Sequence, residues 1–186
     1  AKRGDIGSTA RMYARALFDH LGADAVTVNP LMGRDSAEPF LDYTDRLTYF
    51  LVLTSNPGAS DFLLVDGLYR RIAAALTFWA EHGNAGFVIG ATRGDEIREV
   101  RHLGRDVPFL VPGVGAQGGD LERVIELGAR ADSVGDESVD PGLLFHVTRG
   151  VLPDPESGED VGEAIRARAI AWRDRLREVM RYGDPA

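Results

Sequence analysis

The feature that most constrains the fold of this chain is a regular alternation of short β-rich runs with longer segments of helical period. Five apolar runs rich in β-branched and aromatic residues lie at residues 25–30, 49–54, 86–90, 109–111 and 143–147. Between them, apolar residues recur every three or four positions, as on the buried face of an amphipathic helix. This alternation predicts repeated β/α units around a parallel sheet.

Polar motifs follow several of these strands, and the opening stretch 1–9 has the character of a further strand end. A closed (β/α)8 barrel builds its active site at the carboxyl ends of its strands, but it typically needs ~250 residues. We therefore predict an α/β chain with the (β/α)8 TIM-barrel fold, forming one barrel domain over residues 1–186, and we expect leading β/α units to precede Ala1. An open doubly wound sheet is the alternative, because it also binds ligands at strand ends.

Two helix starts can be assigned from side chains that commonly cap helices. Ser8 or Thr9 is expected to cap the first helix of the chain. Thr92 and Asp95 have the spacing of a capping box before another helix.

Charge and composition exclude several classes of protein. The net charge is −8, whereas nucleic acids and anionic membranes require a basic face. The chain has no cysteine, so neither a disulfide framework nor a thiolate metal site can form. No apolar run approaches the ~18 residues of a membrane span. We therefore predict a cytoplasmic enzyme or binding protein.

The opening stretch contains the only lysine of the chain, Lys2, whereas the other basic residues are arginines. A lysine can give up and recover a proton, but an arginine stays protonated. Asp5, three residues further on, can hold the Lys2 ammonium charged and oriented. The alternative is a solvated lysine near a frayed terminus.

A turn with four glycines, Gly113–Gly119, follows the fourth strand. Glycines allow the backbone to approach a ligand and to direct several amides toward one point. A helix that begins near Asp120 would add its positive end, which favours phosphate. Gln117 is the one long hydrogen-bonding side chain in this turn and can reach a phosphate or a base edge. A glycine-rich connection without a ligand is the alternative.

Two further strand ends carry candidate binding residues. Arg149 closes the last strand, one β/α unit after the glycine turn, and barrel enzymes often hold phosphate with the loops after their last two strands. Ser55 lies in a sharp polar turn after the second strand, where its hydroxyl can contact a carbonyl or amide of a ring. A surface arginine is the alternative for Arg149.

No pair of the four histidines has metal-ligand spacing with a supporting carboxylate, so we predict no metal site. His146 lies inside the last strand and is expected to be a packed core histidine.

Four stretches together resemble one enzyme family, orotidine 5′-phosphate decarboxylase, and most closely its bacterial branch with a DAKRGDIGST-type opening. The stretches are AKRGDIGST at 1–9, TSNPGA at 54–59, VPGVGAQGG at 111–119 and TR at 148–149. They occur in the same order over nearly the whole chain. The first aspartate of the family's Asp-x-Lys-x-x-Asp motif would precede Ala1, as would its ribose-binding aspartate and second catalytic lysine.

The resemblance implies a role for each matching residue. Lys2 matches the lysine that protonates the carbon losing CO₂, and Asp5 matches the motif's second aspartate. In the family, the aspartate matched by Asp5 and the threonine matched by Thr9 reach into the active site of the partner subunit. Ser55 matches the serine that contacts the pyrimidine. The other matches are a wall residue at Pro112 and the phosphate ligands at Gln117 and Arg149.

The resemblance further implies a carboxy-lyase that converts orotidine 5′-phosphate to uridine 5′-phosphate (UMP) in pyrimidine synthesis without metal or cofactor. It implies a homodimer with shared active sites and no nucleic-acid or membrane partner. Two alternatives remain open from the residues. One is another phosphate-binding barrel enzyme, such as a sugar-phosphate decarboxylase or aldolase, and the other is a non-catalytic nucleotide-binding barrel.

Overall fold

Alternating strands and helices form a single parallel sheet with helices packed on one face. The computed structural model describes residues 3–115, 118–133 and 139–182. Its strands are β1 (Ala25–Val28), β2 (Leu47–Leu53), β3 (Ala85–Ile89), β4 (Phe109–Pro112) and β5 (Leu143–His146). Its α-helices are α1 (Gly7–Arg15), α2 (Arg34–Leu41), α3 (Leu68–Trp79), α4 (Gly94–Leu103), α5 (Leu121–Gly128) and α6 (Val161–Tyr182). Shorter helical turns are Ala16–His20, Pro57–Asp61, Val65–Gly67 and Ala131–Ser133.

The five strands lie in sequence order, β1-β2-β3-β4-β5, and every neighbouring pair is parallel. Because each connection between adjacent parallel strands carries a helix, the sheet is built from successive β/α units of a (β/α)8 barrel. Since all strands point the same way, the loops that follow them meet at one edge, which we call the carboxyl edge. The prediction of repeated β/α units is confirmed.

One face of the sheet forms the main hydrophobic core with the helices. Phe50, Phe87 and Phe109 are in register across three strands, and each is fully buried. The residues that alternate with them, among them Leu51 and Leu110, lie on the opposite face, which a closed barrel turns inward.

A buried arginine holds the edge of the sheet opposite the carboxyl edge. Arg101 of α4 is 8% exposed, and its guanidinium lies 3.6 Å from the centroid of the Phe109 ring. Burial lowers the pKa of Arg101 to about 10, so the group remains charged at neutral pH. It donates hydrogen bonds of 2.7–3.0 Å to the carbonyls of Gly104, Arg105, Val107 and Gly128.

A second polar cluster joins α3 to α4. The buried Tyr69 hydroxyl donates to the Glu99 carboxylate, and Arg70 donates to the same carboxylate at 2.6 and 3.0 Å. The hydrogen bond from Tyr69, followed by that from Arg70, lowers the pKa of Glu99. Within the ranges described above, no helix is long and apolar enough to cross a membrane.

Candidate active site

The opening stretch lies at the carboxyl edge, beside β1. Arg3 forms a parallel bridge with Val28, and the Arg3 carbonyl accepts a 2.9 Å hydrogen bond from the Asn29 amide. Asp5 therefore lies two residues after a bridge to β1, at the carboxyl edge. Its half-buried carboxylate accepts a 2.8 Å hydrogen bond from the Ile6 amide. Lys2 lies outside the described residues.

Thr9 lies inside the first turn of α1 and does not cap it. The helix begins at Gly7, its N-cap residue is Ile6, and no side chain caps it. The predicted cap at Ser8 or Thr9 is wrong, because the chain turns into the helix earlier and the Thr9 amide already donates to the Ile6 carbonyl at 3.0 Å. Thr9 is half-buried, a few residues after Asp5.

The turn that contains Ser55 is held by two residues that follow β3. Arg93 donates to the carbonyls of Thr54 at 2.8 Å and Asn56 at 2.5 Å. Thr92 donates from its hydroxyl to the Ser55 carbonyl at 3.0 Å. The capping role predicted for Thr92 with Asp95 is wrong, because this hydroxyl bonds across the sheet edge and α4 begins without a side-chain cap. Three successive carbonyls around Ser55 are thus fixed.

Glycine at position 90 is required by the closeness of the Ser55 turn. A Cβ atom at Gly90 would lie 2.4 Å from Cα, 2.5 Å from N and 2.6 Å from Cβ of Ser55. These distances are far shorter than van der Waals contact, so a larger residue at position 90 would displace the turn.

The glycine-rich turn continues this packing from β3 to β4. The Pro112 carbonyl accepts a 2.9 Å hydrogen bond from the Ala91 amide, and a Cβ at Gly119 would lie 2.5 Å from Cβ of Ala91. Gly113 and Gly115 have φ values of 98° and 80°, which glycine adopts readily. Gln117 lies outside the described residues.

The helix after this turn begins where it was predicted, but its positive end is already occupied. Asp120 is the N-cap residue of α5, and its carboxylate accepts a 3.0 Å hydrogen bond from the Arg123 amide. This carboxylate offsets the charge of the helix end. An anion at this edge would therefore depend on the glycine-turn amides and on arginine rather than on α5.

Arg149 lies in the loop after β5, next to the glycine turn, because Pro112 pairs with His146 across β4 and β5. Arg149 is exposed, and among the described residues it has no hydrogen-bond or salt-bridge partner. The prediction that His146 is a core residue is wrong. His146 is exposed because it lies on the sheet face without helices, and its Nε2 is 2.8 Å from the Thr148 hydroxyl.

Trp172 of α6 joins the last two loops. A Cβ at Gly115 would lie 2.8 Å from Cζ2 of Trp172, and a Cβ at Gly150 would lie 2.8 Å from its Nε1. The loops after β2, β3, β4 and β5 therefore form one chain of close contacts along the carboxyl edge. Among the described residues, no group of three acidic or histidine side chains is placed to hold a metal ion.

Two residues that the sequence did not single out, Arg93 and Trp172, organise this edge. The position of Arg93, a few residues after a strand, is only a weak signal of a role at this edge, because the partners of Arg93 are backbone carbonyls of another loop. Trp172 is on the apolar stripe of α6, where a large aromatic residue is typical of core packing. Their roles depend on contacts between distant parts of the chain.

Comparison with known proteins identifies the family. The model of the "Orotidine 5'-phosphate decarboxylase / HUMPS family" matches residues 1–165. The orotidine 5′-phosphate decarboxylase of Haloarcula marismortui is 46% identical over 185 residues, covering 96% of this chain and 66% of the relative. That of Azoarcus sp. is 47% identical over 181 residues, covering 95% of this chain and 64% of the relative. The chain thus spans slightly less than two thirds of the length of these relatives.

Solved structures give the same assignment. The OMP decarboxylase of Leishmania donovani superposes with a TM-score of 0.79 at 33% identity, covering 97% of this chain and 66% of that one. The UMP synthase of the same organism superposes with a TM-score of 0.77 at 35% identity, covering 97% of this chain and 38% of that one. Sequence and fold agree that this chain belongs to the orotidine 5′-phosphate decarboxylase / HUMPS family, with the parallel strands of a (β/α)8 barrel.

Proposed function

We propose that this protein decarboxylates orotidine 5′-phosphate to UMP, and that residues 1–186 belong to one barrel domain. The observation that carries the proposal is the set of residues at the carboxyl edge. Ser55, Pro112 and Arg149 follow or end three different strands, Asp5 follows the Arg3 bridge beside β1, and all four match the family's motifs in order. Catalytic groups of barrel enzymes come from the ends of several strands in this way.

Lys2 and Asp5 carry the chemistry in this proposal. The bond between the pyrimidine ring and its carboxylate breaks, CO₂ leaves, and the electron pair stays on the ring carbon. The Lys2 ammonium stabilises this developing negative charge and then gives the carbon a proton. Asp5 places a second negative charge near the departing carboxylate, which raises the energy of the bound substrate relative to the transition state.

The remaining residues bind the two ends of the nucleotide. Ser55, in a turn fixed by Arg93 and Thr92, contacts the pyrimidine, and Pro112 forms part of the wall around it. Gln117 and Arg149 hold the 5′-phosphate, since a guanidinium binds phosphate with two parallel hydrogen bonds. Binding energy from this distant phosphate can be realised at the transition state.

The reaction in this form needs no metal and no organic cofactor, because the ammonium supplies both the charge and the proton. We place the enzyme in the cytoplasm, with orotidine 5′-phosphate and UMP as its ligands.

We further propose a two-fold dimer in which Asp5 and Thr9 of each subunit complete the partner's site. Exposed apolar side chains near this part of the carboxyl edge support it: Ile6 is 61% exposed, Leu31 54% and Met32 51%. Ile6 follows the Arg3 strand end, and Leu31 and Met32 follow β1 directly beside it. A two-fold axis through such a patch would bury it against its own copy.

Release of CO₂ from orotidine 5′-phosphate in metal-chelating buffer tests the function. The parent protein should release CO₂ and form UMP, and Lys2→Ala should lose activity by many orders of magnitude while still binding UMP. Lys2→Arg should restore little, because arginine does not give up its proton. Absence of CO₂ release by the parent would contradict the proposal. Release only when a divalent metal is added would instead indicate a metal-dependent barrel enzyme.

Mixing two inactive variants tests the shared site. Lys2→Ala and Asp5→Ala homodimers should each be nearly inactive. In a mixed dimer one site carries both substitutions and the other carries neither. Random subunit exchange makes half of the dimers mixed, so about a quarter of the parent rate should return. If exchange is demonstrated and no activity returns, Asp5 serves its own subunit.

A further inference from the structure

The indole of Trp172 lies between the two loops that carry the proposed phosphate ligands. Its contacts fall along one edge of the ring system, with Nε1 and Cε2 next to Gly150 and with Cζ2 and Cη2 next to Gly115. The loops after β4 and β5 therefore contact the two ends of one edge of the indole ring. Trp172 itself is half-buried and packs against the hydrophobic core from α6.

Both contact points are too tight for any side chain. A Cβ at Gly115 would lie 2.8 and 2.9 Å from the ring, and one at Gly150 would lie 2.8 Å from Nε1 and 3.0 Å from Cγ1 of Val147. In sequence, Gly115 is two residues before Gln117, and Gly150 directly follows Arg149. A shift of the indole would therefore displace Gly115 and Gly150, the described residues that precede and follow the two proposed ligands in sequence.

Arg175 of α6 lies over the ring and also approaches α5. The Arg175 guanidinium lies 5.6 Å from the centroid of the Trp172 ring. Arg175 also lies 3.8 Å from Glu122, in the first turn of the helix that follows the glycine turn. A tryptophan has only two rotatable side-chain bonds, so a ring that is packed on its edge and covered by a cation keeps a defined orientation.

We propose that Trp172 is a positioning residue that sets the distance between Gly115 and Gly150, and through them the spacing of the two loops that bind the 5′-phosphate. The proposal rests on the proposed function and deepens it, because it makes α6 part of the phosphate site without touching the ligand. Preorganised loops bind more tightly because less ordering is needed when the ligand arrives.

Binding of UMP and of uridine, measured by calorimetry, tests the proposal. Trp172→Ala should weaken UMP binding roughly tenfold and leave uridine binding unchanged, because only UMP uses the phosphate loops. Val179→Ala is the matched control, since it also removes packing between α6 and the core. It should lower stability without changing the ratio of the two affinities.

The possible outcomes separate this proposal from the proposed function. If the parent binds UMP no better than uridine, there is no phosphate site and both proposals fail. If the parent prefers UMP and Trp172→Ala keeps the parent's preference, the proposed function stands and the role of Trp172 is wrong.

Fluorescence gives a second test that does not depend on a folded Trp172 variant. The chain has two tryptophans, so Trp79→Phe assigns all indole emission to Trp172. Titration with UMP should change this emission, with the same midpoint as the calorimetric binding curve, whereas titration with uridine should leave it unchanged. If UMP binds by calorimetry while the emission of Trp172 stays constant, the ring does not sense the phosphate loops and the proposal is overturned.

Discussion

The Gly90→Ala substitution tests whether the position of the Ser55 turn controls activity. The new Cβ would lie 2.4 Å from Cα of Ser55, whereas ordinary contact begins near 3.4 Å, so the turn must move by about 1 Å. The clash is with backbone atoms, and Arg93 and Thr92 also hold the same turn, so rotation of a side chain cannot relieve it. A misplacement of about 1 Å can cost roughly 100-fold in rate.

Steady-state kcat/KM for orotidine 5′-phosphate, together with thermal unfolding, is the assay. We expect Gly90→Ala to remain folded, to lose roughly 1–3 kcal/mol of stability through overpacking, and to lose activity by about 100-fold. Gly162→Ala in α6 is the matched control, because its Cβ would meet only the Asp160 carboxylate at 3.4 Å. A folded Gly90→Ala protein with the kcat/KM of the control would refute the reasoning.

Three further predictions concern binding, stability and pH. Arg149→Ala should weaken UMP by roughly 1.5–3 kcal/mol and leave uridine unchanged, whereas alanine at the exposed Arg166 of α6 should alter neither affinity; equal weakening of both ligands would make Arg149 structural. Arg101→Met should lower the free energy of unfolding in urea by roughly 3–5 kcal/mol, because it leaves several buried carbonyls without donors, and a loss below about 1 kcal/mol would contradict this role. The folded-state pKa of Glu99 is lowered, so its interaction with Tyr69 stabilises the protein above the unfolded-state pKa and is lost as the pH falls through the folded-state pKa. Glu99→Gln should therefore reduce the loss of stability on acidification. An unchanged loss would exclude this stabilising role of Glu99.

The sequence was sufficient to predict the architecture because the signals for it are local. The five strands and the helix after Asp120 appear where apolar runs and turn residues predicted them. One error, the predicted cap at Thr92, arose because the side chain has a partner far away in sequence. The Thr92 hydroxyl bonds to the Ser55 turn, and local spacing gives no sign of that choice.

The candidate site was predictable to the extent that motifs mark strand ends. Ser55 and Arg149 follow strands at the carboxyl edge, as expected, and Asp5 follows the Arg3 bridge beside β1. The contacts that hold these residues in place were not predictable, because Arg93 bonds to backbone carbonyls of another loop and Trp172 packs against glycines of other loops. His146 was misassigned since alternation along a strand does not reveal which face of the sheet the helices cover.

In the proposed decarboxylation the Lys2 ammonium protonates the ring carbon. This step is tested most directly by proton NMR of the product formed from orotidine 5′-phosphate in heavy water without metal. We expect one CO₂ for each UMP, with deuterium at the ring carbon that carried the carboxylate, and no such product with Lys2→Ala. Formation of deuterated UMP at the parent rate by Lys2→Ala, or no UMP from the parent protein, would contradict it.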